Sequence, residues 1–289
     1  MKLAVGTVQL RSVRGRVREN LKEAGRLLER CAAQGAELVV LPELFATGYF
    51  WDEELHKLIT QSFSETVGWL KERAAKHGMV IIAGVGEPVA DGFYDSAILT
   101  RPSGEVEIYR KTHLFRDEVK YFQAGDRLLV AGTGETELKV GLLICVEVGF
   151  PEPARALALE GAELIVIPMA FGAARGPTIY ETATRARALE NNLFLITANQ
   201  VGCSGEFDFY GHSRVVSPLG EVLLDLEEEG CGVAELDLTL VGRCRRGELD
   251  RAYPYLRERR PELYSRLAEP SAGGVDQVAA IRYHGDENH

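Results

Sequence analysis

An eight-residue phrase occurs twice in this chain, and it restricts the fold more than any other feature. Gly35-Ala-Glu-Leu-Val-Val-Leu-Pro42 returns as Gly161-Ala-Glu-Leu-Ile-Val-Ile-Pro168, with Phe45 and Phe171 at the same offset. Further echoes keep the same order. DSAILTRPSGEV (Asp95 to Val106) answers to HSRVVSPLGEV (His212 to Val222), and Gly78 to Gly86 and Asn192 to Gly202 are both strand-like. An internal duplication explains this more simply than chance. Each half reads strand, helix, strand, helix, strand, hairpin. The runs Glu37 to Leu41 and Val140 to Ile144 are apolar without alternation, as in strands covered on both faces. Each half therefore predicts a sheet with helices on one face. Packing sheet on sheet gives an α/β, four-layer α-β-β-α sandwich. No Gly/Ser/Pro-rich linker parts the halves, so residues 1–268 are expected as one domain and 269–289 as a tail, disordered or reaching a partner subunit.

Local signals fill in the plan. Val17, Leu21, Ala24, Leu28 and Cys31 recur at helical spacing, and Gly35 ends that helix. Ser62 with Glu65 predicts a capping box that opens a helix stopping at Gly78. Asp95 to Arg101 and Glu105 to Arg110 flank Pro102-Ser103-Gly104 and read as a hairpin, with Lys111 just beyond it. The stretch Thr112 to Asp126 reads as loop.

Two positions carry more than the fold asks for. Where the first copy of the phrase is followed by Glu43, the second is followed by Met169. A carboxylate between apolar neighbours is costly unless it is paired, so stability alone would not ask for this asymmetry. Cys145 ends the run Val140 to Ile144, and Pro151 opens the helix PEPARALALEG shortly after it, with Gly161 at its end. That places a thiol at the rim of a sheet, on a tight turn whose backbone N–H groups could hold an oxyanion.

Composition excludes several functions. A net charge of -10 and a pI near 5.3 argue against nucleic acid and anionic membranes. No apolar run approaches a membrane span, and the N-terminus reads as a first strand and not a signal peptide. Five cysteines with no C-x-x-C pair fit a reducing cytoplasm. Neither metal-ligand spacing nor a nucleotide loop is present, so no cofactor or metal is expected.

Glu43, Lys111 and Cys145 can divide the work of acyl transfer. A thiol nucleophile needs a base, which a buried glutamate supplies. An ammonium can stabilise the oxyanion together with a backbone N–H such as that of Val146. His113 and His212 stay open as imidazole partners of the thiol.

Several blocks then resemble the carbon–nitrogen hydrolase, or nitrilase, superfamily. They are Leu41-Pro42-Glu43, Arg110-Lys111-Thr112-His113-Leu114-Phe115, Ile144-Cys145 with Phe150-Pro151-Glu152, Arg187-Ala188-Leu189-Glu190-Asn191, Ala198-Asn199 with Gly202, and Gly211-His212-Ser213. The likeness runs from about Leu3 to Tyr264. It implies the same sandwich, a Glu-Lys-Cys triad, a covalent acyl-enzyme, a second glutamate at Glu118, and a homodimer. Val146 stands where nitrilases carry tryptophan, which favours amides and ureido compounds. Arg175 falls in the loop where carbamoyl-amino-acid hydrolases place carboxylate-binding arginines, and Phe171 joins it as a candidate substrate contact. The expectation is a cytoplasmic amidase that releases ammonia from a small linear amide or N-carbamoyl compound. The alternatives are a nitrilase, and a nitrilase-like binding or scaffold protein without activity.

Overall fold

In the computed structural model, which describes residues 2–134 and 138–269, the duplication is visible as topology. The first half runs β1 (Lys2–Gln9), α1 (Val17–Ala33), β2 (Leu38–Leu41), α2 (Glu54–His77), β3 (Val80–Val89), β4 (Gly92–Thr100) and β5 (Val106–Arg110). The second runs β6 (Leu129–Gly132), β7 (Lys139–Leu142), α3 (Pro151–Leu159), β8 (Leu164–Met169), α4 (Glu181–Asn191) and β9 (Phe194–Asn199). It continues with β10 (Val201–Ser204), β11 (Phe207–Tyr210), β12 (Ser213–Val216) and β13 (Val222–Leu226), then β14 (Gly230–Asp237) and α5 (Thr239–Arg246). One sheet has the order β14-β1-β2-β3-β4-β5 and the other β6-β7-β8-β9-β12-β13. Each has a parallel centre and antiparallel edges. The two sequences of strands superpose in role, with β14 and β6 as the corresponding edges.

The unbroken apolar runs have the predicted cause. Along β2, Leu38 and Val40 join the core between the sheets, while Val39 and Leu41 pack with Leu28 and Cys31 of α1 and Leu70 of α2. A period of two then points every residue at some apolar layer, each large side chain contributing about 1.5–3 kcal/mol. Matched caps support the repeat: Gly78 after α2 and Asn192 after α4 both take the left-handed conformation, at φ 62° and 47°.

Three details differ from expectation. Helix α2 begins at Glu54, so Ser62 lies inside it, and its hydroxyl donates to the Leu58 carbonyl at 2.8 Å. A serine satisfied by the carbonyl four residues back leaves no cap for Glu65 to complete. The edge strands β6 and β14 carry no signal strong enough to be read. The second-half hairpin is also bent: β3–β4 is continuous to Val89↔Gly92, but its counterpart breaks at Gly211 and His212, both at positive φ. Its tip becomes a separate ribbon, β10–β11, that leans over the C-terminal ends of the central strands through the bridge Gly172↔Phe209. No helix among the described residues is long and apolar enough to cross a membrane. The expected C-terminal tail lies, from residue 270 on, outside the described residues.

Candidate active site

Cys145 sits where β7 has ended and a short 3₁₀ turn, Cys145–Gly149, leads into α3 with Pro151 at its first position. Its φ is 47°, a conformation costing about 1–2 kcal/mol for a residue with a Cβ. Such a strain persists only where the surroundings hold it. Glu147 does the holding from below. Its buried carboxylate accepts the Ile144 N–H at 2.8 Å, the Thr112 N–H at 2.9 Å and the Tyr109 hydroxyl at 2.8 Å. The nucleophile's turn is thereby tied to the chain on either side of Lys111. Burial pushes the Glu147 carboxyl up, but bonds from His113, Thr112, Tyr109 and Ile144 outweigh it and hold it below its ordinary range. Arg187 secures the far side of the turn, donating to the carbonyls of Val148 and Gly149 at 3.0 and 2.9 Å. As the second residue of the turn, Val146 has an N–H that precedes the turn's own hydrogen bonds.

Behind the thiol lies a caged ammonium. Lys111 Nζ is 2.6 Å from Glu43 Oε1, 2.8 Å from both Glu118 oxygens and 3.2 Å from Asp95 Oδ2. All four side chains are 0% exposed. Glu43 follows β2, Asp95 lies on β4, Lys111 follows β5 and Glu118 stands in the turn Arg116–Lys120, so four segments converge on one cation. Glu43 Oε2 also accepts the Ala170 N–H at 2.7 Å, from beyond β8 in the other sheet. Glu118 further accepts the Tyr49 hydroxyl at 2.9 Å and the Phe115 N–H at 2.7 Å. The three carboxylates would suit a metal ion, and the cation they hold is the Lys111 ammonium. Burial opposes its charge, yet Glu118, Glu43 and Asp95 prevail and raise its pKa well above the usual value. Burial, with Glu43 next, pushes the Cys145 thiol well above its usual pKa and favours its protonated form.

Cys145 does not stand on an open rim. It is 2% exposed and forms the floor of a cavity of about 490 Å³, the size of a small-molecule site. The walls are Tyr49, Trp51, Phe115, Phe207 and Phe209, two of them supplied by the β10–β11 ribbon. Arg175 also faces this cavity, its guanidinium 4.1 Å above the Phe115 ring and 5.0 Å from Phe171, and no carboxylate of the described residues pairs with it. Acidic groups, Asp117, Glu206 and Asp208, occupy other parts of the same mouth.

The structure thus brings Glu43, Lys111, Glu118 and Cys145 together, with Arg175 above them. Phe171 departs from expectation: it is 1% exposed, packs on Tyr180, and backs Arg175 without lining the cavity. The Phe171 N–H donates to Asn199 Oδ1 at 2.8 Å, and the ring lies in the core cluster. The Val146 side chain likewise does not line the cavity. His113 stacks on Phe150 and His212 pairs with Asp225 at 2.8 Å, so both imidazoles are engaged elsewhere. Asp95, Tyr49 and the aromatic wall escaped the sequence reading. Asp95 had a signal available, because its partner in the repeat is His212, a break of the same kind as Glu43 against Met169.

Comparison with known proteins agrees with this geometry. Residues 4–246 match the family model described as carbon-nitrogen hydrolase. The chain is 39% identical over 256 residues to a nitrilase of Pyrococcus abyssi, covering 86% of this chain and 94% of that one. It is 33% identical to an (R)-stereoselective amidase of Pseudomonas sp, covering 94% and 96%. Among solved structures, it is similar to a glutamate-to-glutamine mutant of the amidase from Nesterenkonia sp. AN1, with a TM-score of 0.76, 27% identity, and coverage of 91% and 95%. That structure shows the acetamide moiety of fluoroacetamide added covalently at the active-site cysteine.

Proposed function

This chain belongs to the carbon–nitrogen hydrolase family, and from that premise we propose that it hydrolyses small linear amides, N-carbamoyl compounds among them, through a thioester on Cys145. The observation that carries the reading is the Cys145 thiol at the floor of a small cavity, within reach of the charges of the caged Glu43 and Lys111. Cys145 Sγ attacks the amide carbon while Glu43 takes the thiol proton. The oxyanion is met by a Lys111 N–H and the Val146 N–H. As the C–N bond breaks, Glu43 returns the proton to the leaving nitrogen and ammonia departs. Water, deprotonated by Glu43, then attacks the thioester, releasing a carboxylic acid and restoring the thiol. The relative with acetamide joined to its cysteine supports a nucleophilic cysteine, the residue type that Cys145 supplies here. Glu118 orients Lys111, and Arg175 receives a carboxylate on the acyl group.

Ammonia release from a panel of small amides, ureido acids and nitriles tests this. Turnover of amides supports it, and turnover of nitriles alone overturns it in favour of a nitrilase. The same reading carries a homodimer working in the cytoplasm. Its five free cysteines suit a reducing compartment, and light scattering at low concentration checks the dimer.

A further inference from the structure

We propose that Asp95 is a positioning residue held as a neutral carboxylic acid, which donates its proton to Glu43 and keeps the third N–H of Lys111 only weakly bound. The inference rests on the catalytic reading above and concerns the charge state of the resting site.

Donor counting carries it. A carboxylate that has lost its water needs hydrogen-bond donors in exchange. Glu118 has three, from Lys111, Tyr49 and the Phe115 backbone, and Glu43 has two, from Lys111 and the Ala170 backbone. Asp95 has one, the Lys111 ammonium at 3.2 Å, which is the longest of that ammonium's contacts. Its other oxygen, Oδ1, is enclosed and meets no donor. One oxygen from each of Glu43, Asp95 and Glu118 lies within 4.8 Å of the others, so the group cannot hold three full negative charges cheaply. With Glu43 and Glu118 ionised against Lys111, the cluster carries one net negative charge; ionising Asp95 makes it two. The proton belongs on the carboxyl with fewest donors. Burial favours the same outcome and raises the Asp95 pKa well above its usual value against the pull of Lys111, with Glu43 and Glu118 adding to the rise. The other titratable groups facing this cluster are Glu118, Tyr49 and Cys145.

The arrangement has a use. The three N–H groups of the ammonium are all engaged at rest, so an oxyanion must displace one partner. A neutral acid at 3.2 Å yields most easily, and the two short bonds from Glu43 and Glu118 keep the lysine aimed. Both departures from the internal repeat, Glu43 for Met169 and Asp95 for His212, then serve one cation.

Infrared spectroscopy and pH profiles test this on the full chain. The wild type is expected to show a carboxylic-acid C=O stretch that moves on carbon-13 aspartate labelling and is missing from Asp95→Asn. That variant, neutral and of the same shape, should keep kcat/KM within a few-fold and leave the acid limb of its pH profile in place. Asp95→Ala strips Glu43 of a donor and should lower kcat by about tenfold to a hundredfold with little change in KM. Absence of the band overturns the proposal. So does an acid limb that moves down by about one unit in Asp95→Asn, the mark of a removed negative charge. An Ala variant with wild-type kcat removes the positioning role. Should the Ala variant not fold, the band and the Asn profile still decide. The band is read on unreacted protein, so it stands apart from the catalytic reading, which falls instead if Glu43→Gln turns over at the wild-type rate.

Discussion

Glu43 and Ala170 join the two halves of the duplicated fold at its centre: the Ala170 N–H of one sheet donates to Glu43 Oε2 of the other at 2.7 Å. The Glu43 N–H in turn donates to the Met169 carbonyl at 3.3 Å, and Gln200 donates to the Glu43 carbonyl at 2.8 Å. Glu43 is thus fixed at three points, two on its backbone and one on its carboxylate, before any substrate arrives. Glu43→Gln keeps the shape and removes the base, so kcat should fall by about 10²–10⁴-fold. Steady-state kinetics on the purified variant, with circular dichroism to verify folding, checks this.

Alkylation should separate the cysteines by environment. A hydrogen bond from Cys31, aided by Arg30 and Arg26, pulls the half-buried Cys231 thiol down to about 7. Burial pushes Cys145 the other way. Near neutral pH Cys231 is then the more readily ionised of the two thiols. N-ethylmaleimide should label Cys231 first with turnover intact, and Cys145 more slowly with turnover lost in step. Peptide mapping over time reads the order.

Glu147 should be indispensable to the nucleophile's turn. Glu147→Ala leaves several buried donors without a partner, at about 1–3 kcal/mol each, and should lower both Tm and kcat sharply. The folded carboxyl has a lowered pKa. Its stabilisation is therefore complete above the unfolded value near about 4.3 and is lost as pH falls through the lower folded value. Glu147→Gln should flatten the fall of Tm in that acid window, as scanning calorimetry across pH would record.

Arg175 should discriminate among substrates. It stacks on Phe115 with no carboxylate partner of its own among the described residues. A charge-assisted bond to a substrate carboxylate is worth about 1.5–3 kcal/mol, so Arg175→Met should raise KM for carboxylate-bearing amides at least tenfold. Neutral amides of similar size should be unaffected, and an equal change for both would remove the assignment.

Much of this was legible in the chain because it is written locally or twice. The repeated GAELVVLP phrase announces the two sheets, and the apolar runs announce their double burial. The residues Glu43, Lys111 and Cys145 each end or follow a strand, where side chains reach a shared edge. What stayed hidden depends on approach between distant segments. Asp95 breaks the repeat against His212, but only the approach of β4 to Lys111 gives that break a meaning. Gly84 likewise has no local meaning, yet a Cβ there would lie 2.4 Å from the Glu43 Cα, so Glu43 requires a glycine beside it. Phe171, expected as a substrate contact, shares its place in the repeat with Phe45, and both rings are buried. The Ser62 cap misled because a hydroxyl can serve a helix from inside it.

The most direct test of the account is to trap the acyl-enzyme. Wild-type protein mixed with a small amide, quenched in acid within milliseconds and analysed by intact mass and peptide mapping, should carry the acyl group of the amide on Cys145 alone. Cys145→Ala should carry none and release no ammonia. Ammonia release without any adduct on Cys145, or with turnover surviving in Cys145→Ala, would contradict it.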